Sequence, residues 1–376
     1  MLDLGQLELV DHHCHGVVRR ELGPAEFETY LSESGAPPPG LSNFDTQLGF
    51  SLRRWCAPVL GLEAHASPEA YLRRRGELGT GEVTRLLLGA SGITTFLVDT
   101  GYRSQELLSP QELAGLAGGW AGEVVRLEAL AEEVAAAGTS ATGFSAAFDD
   151  ALDLACATAV GLKSVVAYRY GLDFDPHPPA PVEVAAAAGE WLRRGEGASA
   201  FRLDHPVLLR HVIWAGANRG LPLQFHVGYG DPDLRLHRSD PALLTDFLVA
   251  SQPLGTPVML LHCYPYHRQA GYLAAVFPHV YMDLGLALNY VGPRASALLA
   301  EALELTPFDK MLFSSDAFGL PELYYLGATS FRQGLAEVLG SWVAEGRWSA
   351  ADAERVAATI GSGTARRLYA TGPHGR

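Results

Sequence analysis

Three features of the sequence predict an α/β chain folded as a (β/α)8 TIM barrel, with helices inserted between strands 1 and 2. Short aliphatic and β-branched runs recur eight times, and each is followed by a longer amphipathic or Ala/Leu-rich stretch. Most of the runs are also nearly continuous in apolar character, as parallel strands covered on both faces require. The runs are Leu7 to His12, Ile93 to Val98, Val124 to Leu130, Ala159 to Tyr168, Leu221 to Val227, Pro257 to His262, Val280 to Leu284 and Lys310 to Ser315. Residues 1–376 read as a single domain.

About 80 residues separate the first run from the second, far more than a βα connection needs. After the stop at Pro37-Pro38-Pro39-Gly40, helical patterns cover Asp45 to Val59, Pro68 to Arg75 and Gly81 to Leu88. Residues 18–91 are therefore expected to form a helical cap over the barrel mouth. The Ala-rich tract Val182 to Arg194 has helical propensity.

With 376 residues and 48% hydrophobic content, the chain can bury one large core. A net charge of −14, with no basic run beyond Arg73-Arg74-Arg75, argues against nucleic acid or an anionic membrane as partner and leaves small molecules. Cys14, Cys56, Cys156 and Cys263 are widely spaced and form no CxxC pair, so a reducing cytoplasm is expected, without a disulfide framework or thiolate zinc site. Asp3 and Glu8 leave no room for a secretory signal at the start, and apolar stretches such as Val258 to Leu261 are too short to span a bilayer. A soluble protein is expected. Barrels of this size often form homo-oligomers, but no stripe in the sequence marks an interface.

The chemistry is concentrated at the ends of the runs. The first passes into Asp11-His12-His13-Cys14-His15, where alternation puts His13 and His15, with Asp11, on one face. Two further runs end in His226 and His262, and the last ends in Asp316. In a (β/α)8 barrel the C-terminal strand ends converge on one mouth, so four strands aim imidazoles and a carboxylate at the same place. N-capping or turn formation accounts comfortably for one such residue, Asp316 for instance, but not for all of them. Neutral imidazoles with a carboxylate suit one divalent cation, zinc first and manganese or iron as alternatives.

This set resembles the amidohydrolase superfamily, and most closely the amidohydrolase-2 family. The matching strings are His12-His13-Cys14-His15, Gln224-Phe225-His226-Val227-Gly228-Tyr229-Gly230-Asp231 and Leu261-His262-Cys263-Tyr264-Pro265-Tyr266-His267. The resemblance implies His13, His15 and His226 as metal ligands, Asp316 as ligand or as the carboxylate that activates water, and His262 beside the substrate. It implies hydrolysis of an amide-like C–N bond of a small molecule, with decarboxylation or isomerisation on the same barrel as the alternative. A regulatory protein that binds metal without turnover is a third reading, and the intact ligand set argues against it. Similar barrels occur fused to glutamine-synthetase-like domains, for which this chain is expected to have no room.

One departure stands out. Binuclear relatives carry a carboxylated lysine or a glutamate at the end of strand 4. Here Lys163 begins its run, some ~16 Å below the mouth at strand rise. It is expected at the bottom rim, and the site is expected to be mononuclear.

Other candidates have two readings each. Tyr168 and Arg169 could clamp an acidic group, or Arg169 could pair with Asp173 or Asp175. Tyr264 could line the pocket or pack in its loop, as could Tyr266 and His267. Arg126 and Glu128 are expected near the end of strand 3 and read as structural. Asp231 and Asp233 read as turn formers or as support for an imidazole. Cys14 should point away from the ligands, and Trp55 and His65 read as helix surface.

Overall fold

In the computed structural model, residues 2–197 and 199–369 are described. Seven parallel strands form one sheet in chain order: β1 (Leu9–Cys14), β2 (Ile93–Asp99), β3 (Trp120–Arg126), β4 (Gly161–Ser164), β5 (Leu223–Val227), β6 (Val258–His262) and β7 (Val280–Met282). β1, β4, β5, β6 and β7 are buried at every position, which is why they read as unbroken apolar runs.

The eighth run closes the barrel without becoming a regular strand. Leu312 donates its N–H to Met282 on one side (3.0 Å), while His12 donates to Phe313 (3.2 Å) and Asp316 to His13 (3.1 Å) on the other. The ladder fails at Ser315, whose N–H goes to the Asp11 carboxylate (2.9 Å) instead of a strand carbonyl. Lys310 lies in a 3-10 turn, Phe308–Lys310, so the expected strand start is also corrected.

Two other boundaries move, and one of them relocates a functional residue. The third run was expected to continue to Leu130, but the strand stops at Arg126 and Leu127–Ala136 is a helix, because LEALAEEVAA is built of strong helix formers. Glu128 is thus on a helix. Its carboxylate accepts from the Ser164 hydroxyl (2.6 Å) and the Val165 N–H (3.0 Å), which takes the Val165 N–H out of the ladder and ends β4 at Ser164. Val166–Arg169 is a short helix rather than strand, so Lys163 sits at the top of β4 and not at its foot.

Between β1 and β2 the chain forms helices at Pro24–Thr29, Gln47–Val59, Pro68–Leu78 and Thr80–Ser91. The second and third start at side-chain caps, Thr46 and Ser67. Pro68–Leu78 is fastened to the long helix Pro321–Ala344 by a buried group: Glu322 accepts from Arg75 (2.8 Å) and from the Tyr71 hydroxyl (3.0 Å). The barrel interior is filled by Val10, Leu97, Val124, Met259, Leu261 and Leu312, together with Tyr369 from the C-terminal segment. Among the described residues, no helix is long and apolar enough to cross a membrane.

Candidate metal centre

His13 and His15 come from the end of β1, where the pairing with β2 is irregular between Asp11 and Cys14. That irregularity breaks strict alternation. His12 turns into the barrel below the mouth, hydrogen-bonded to Asp283 (2.7 Å), and Asp11 turns to Ser315, so Asp11 does not share the face of the two histidines as expected. Cys14 points away to the Leu97 carbonyl, as alternation predicts. His13 and His15 converge on Asp316, with Nε2 to Oδ1 distances of 3.1 and 3.5 Å. His262 Nδ1 lies 3.6 Å from the other Asp316 oxygen.

Each ring is held from behind. His13 Nδ1 is 2.9 Å from Gln224 Oε1, and His15 Nδ1 is 3.2 Å from the Asp99 carbonyl, which leaves both Nε2 atoms facing the cavity. His262 and Asp316 adopt left-handed backbone (φ 71° and 49°), uncommon for residues other than glycine and typical of sites where the surroundings enforce strain. The Asp283 carboxylate fixes the first by accepting the His262 N–H at 2.7 Å.

His226, at the end of β5, packs its ring 4.6 Å from His262 and 4.5 Å from Tyr168. Gly230 makes room for this stack, since a Cβ there would lie 2.1 Å from the Tyr168 hydroxyl and 3.1 Å from His226 Nε2. His226 Nε2 and both ring nitrogens of His262 are buried without a hydrogen-bond partner. Buried polar atoms left unpaired are costly, so a ligand that accepts their lone pairs fits this group.

Two sets of ligand atoms lie within 4.8 Å of one another: His13 with His15 and Asp99, and His13 with His262 and Asp316. His226 belongs to neither set. Burial, reinforced by Lys163, drives the His13 imidazole down to about 3, and burial likewise lowers His226 and His262, so the rings are neutral. Burial alone would raise Asp316, but the imidazoles around it, His262 first, outweigh that and hold its carboxyl well below the usual range. Neutral imidazoles beside an ionised carboxylate are a donor set for a divalent cation.

Lys163 corrects the reading of strand 4. Its Nζ lies 2.8 Å from His13 Nε2 and 3.5 Å from Asp99 Oδ2, inside the centre. Burial lowers its ammonium, opposed by Asp99. The argument for a mononuclear site from a lysine at the foot of β4 therefore falls. Asp99 also binds Arg126 at 2.6 Å, and Arg126 and Lys163 keep it strongly acidic against the cost of burial.

A cavity of about 400 Å³ opens above this group. Tyr168 and Arg169 line it, but Arg169 is already paired with Glu132 at 2.9 Å. Asp173 and Asp175, its anticipated partners, bind Arg238 and Arg210. Tyr264 does not line the cavity: it is 38% exposed and stacks on His267. Trp55 and His65 do not line it either; Tyr30 and Glu33 do.

The amidohydrolase family model matches residues 122–371, two thirds of the chain. The chain belongs to the amidohydrolase-2 family. A candidate metal-dependent hydrolase from Lactobacillus casei ATCC 334 shares 30% identity with this chain at a TM-score of 0.84, covering 98% of this chain and 97% of that one. A uronate isomerase from Thermotoga maritima superposes at 0.63 with 14% identity, over 96% of this chain and 94% of its own, a likeness of fold alone. Protein fluG of Emericella nidulans is 36% identical over 238 residues, which cover 60% of this chain and 27% of that protein. The chain thus spans about a quarter of that relative's length.

Sequence reasoning misplaced Lys163 and assigned no role to Asp99, Gln224 or Glu33. Asp99 directly follows the anticipated second run, Ile93 to Val98, and so stands at a strand end like the histidines. That signal was present. Gln224 and Glu33 carry none, because neither residue type nor spacing distinguishes them from neighbouring polar groups.

Proposed function

We propose that this chain is a metal-dependent hydrolase that cleaves an amide-like C–N bond of a small molecule with activated water. The observation that carries the reading is the convergence of His13, His15 and His262 on Asp316, beside unpartnered nitrogens of His226 and His262. His13, His15, His226 and Asp316 would hold the cation, with zinc the first choice. A bound divalent cation supplies Lewis acidity and brings the pKa of water toward neutrality.

The rest falls to the chain's own residues. Asp316, held ionised, accepts the proton of the attacking water and returns it to the leaving nitrogen. His262, neutral and 3.6 Å from Asp316, donates an N–H to the oxygen that gains charge. Tyr168 walls the reacting centre from the side of β5.

The test is elemental analysis of the purified protein beside His13→Ala and His226→Ala, followed by a screen of amides with detection of released amine. Stoichiometric metal, lost in both variants, is the expected result, and its amount also gives the number of cations that Lys163 and Asp99 leave open. A wild-type protein that holds no metal after reconstitution overturns the proposal. Release of carbon dioxide, or a product of unchanged mass, assigns decarboxylation or isomerisation instead.

A further inference from the structure

The charges of the cavity do not cancel evenly. Four arginines and a lysine line it, and each already has a carboxylate partner: Arg103 has Glu106 (3.0 Å), Arg126 and Lys163 share Asp99, Arg169 has Glu132, and Arg202 has Asp233 (3.3 Å). Asp316 is surrounded by imidazoles. Two lining carboxylates remain. Among the described residues, neither Glu33 nor Asp231 forms an ion pair.

The Glu33 carboxylate, from the connection between β1 and β2, has one hydrogen-bond partner among the described residues, the Tyr290 hydroxyl at 2.9 Å. The Asp231 carboxylate, in the loop after β5, accepts only the Asp233 N–H among the described residues, at 2.9 Å. The ring of Tyr229 packs edge-on against Tyr290 at 5.6 Å, and Tyr168 lines the same cavity, so these carboxylates stand in an aromatic surround. Burial and the nearby Asp316 push the Glu33 carboxyl up to about 7, and burial also raises Asp231, against the pull of Arg202, which is itself paired with Asp233. A pair of carboxylates held this way has no cation in ion-pair contact among the described residues, and π faces favour one as well.

We propose that Glu33 and Asp231 are specificity residues that take a protonated amine of the substrate, so that the substrate class is an amide with an ammonium group distal to the scissile bond. This rests on the C–N hydrolase reading for the word amide, but not for the ammonium. Each carboxylate supplies a charge-assisted acceptor, the Tyr290 hydroxyl orients Glu33, and the paired arginines offer no competing attraction for an anionic group.

The test is calorimetric binding to the metal-loaded protein of the ω-amino amides of butanoic, pentanoic and hexanoic acid, each beside its neutral unsubstituted amide. At least one amino amide is expected to bind about tenfold more tightly than its neutral counterpart. Glu33→Gln, which keeps a hydrogen bond to Tyr290, should erase that preference while leaving the neutral amide unchanged, and Asp231→Asn should reduce it. Equal affinities in the wild type, no binding of any amino amide, or a preference that survives both substitutions would overturn the proposal. Binding is read without turnover, so failure to hydrolyse any of these amides counts against the C–N reading alone.

Discussion

Gln224 fixes which nitrogen of His13 faces the cavity. Its amide donates to the His12 carbonyl (2.8 Å) and to the Tyr369 hydroxyl (3.0 Å), so Nε2 is the donor end and Oε1 must accept. His13 Nδ1, 2.9 Å from Oε1, therefore carries the proton, and Nε2 presents its lone pair to the metal centre. Tyr369 continues this chain to His12 (3.2 Å), and His12 to Asp283, whose other oxygen holds the His262 backbone. One buried network thus runs beneath the site from the His13 imidazole to the His262 backbone.

Gln224→Leu should weaken metal binding about 10- to 100-fold, the usual cost of losing a partner behind a ligand. Tyr369→Phe, which removes the hydroxyl shared by the Gln224 amide and His12 but leaves Gln224 Oε1 on His13, should cost less. Competition against a chelator measures both, and an unchanged affinity in Gln224→Leu would show that His13 needs no such support.

How much of this was legible in the sequence depends on the type of signal. His226, His262 and Asp316 could be found because each closes an apolar run, and a strand end in a barrel is a place with a known direction. Lys163 was misplaced because β4 is only four residues long, and the apolar Val165-Val166-Ala167 that follows it continues the run in composition but turns into helix. What ends β4 is Glu128, on a different element, and local sequence does not carry that information. Glu33 and Gln224 act through tertiary contacts to Tyr290 and His13, more than 200 positions away in each case.

Asp316→Asn should separate metal binding from turnover. Asparagine tolerates the left-handed backbone that Asp316 adopts and retains an oxygen donor, so the fold and a weakened metal site should persist. Loss of the proton acceptor should lower turnover by about 10²- to 10⁴-fold. Metal content and steady-state rate, measured on the same preparation, check this; near-normal turnover would remove Asp316 from the role of base.

The attachment of the Pro68–Leu78 helix makes a stability prediction. Arg75 and Glu322 are 6% and 0% exposed, and the Arg75 guanidinium also lies 5.0 Å over the Phe27 ring. Arg75→Met leaves the Glu322 carboxylate buried with the Tyr71 hydroxyl alone, and should destabilise the protein by about 3–5 kcal/mol. Adding Glu322→Leu should recover much of that loss, because an apolar pair of similar volume leaves no charge to solvate. Denaturant unfolding of the two variants decides it: a double variant no better than the single one would mean that packing, and not the stranded charge, carries the cost.

Glu33 makes the pH dependence explicit. Its folded-state carboxyl titrates near 7 against an ordinary 4.5, and the groups that face it are Asp316 and Asp231 as charges, with Tyr290, Tyr229 and Tyr168 as phenols that stay neutral in this range. Because the folded state holds this proton more tightly than the unfolded chain, the stabilisation is complete below about 4.5 and is lost as pH rises to about 7. The unfolding midpoint of the wild type should therefore fall, relative to Glu33→Gln, between those limits and run parallel to it above them. A bound ammonium reverses the preference, since it favours the ionised carboxylate, so the affinity for an amino amide should rise over the same interval and level off above it. Parallel stability curves throughout, with an affinity indifferent to pH, would mean that Glu33 is already ionised at pH 5 and that its environment supplies the counter-charge attributed here to the substrate.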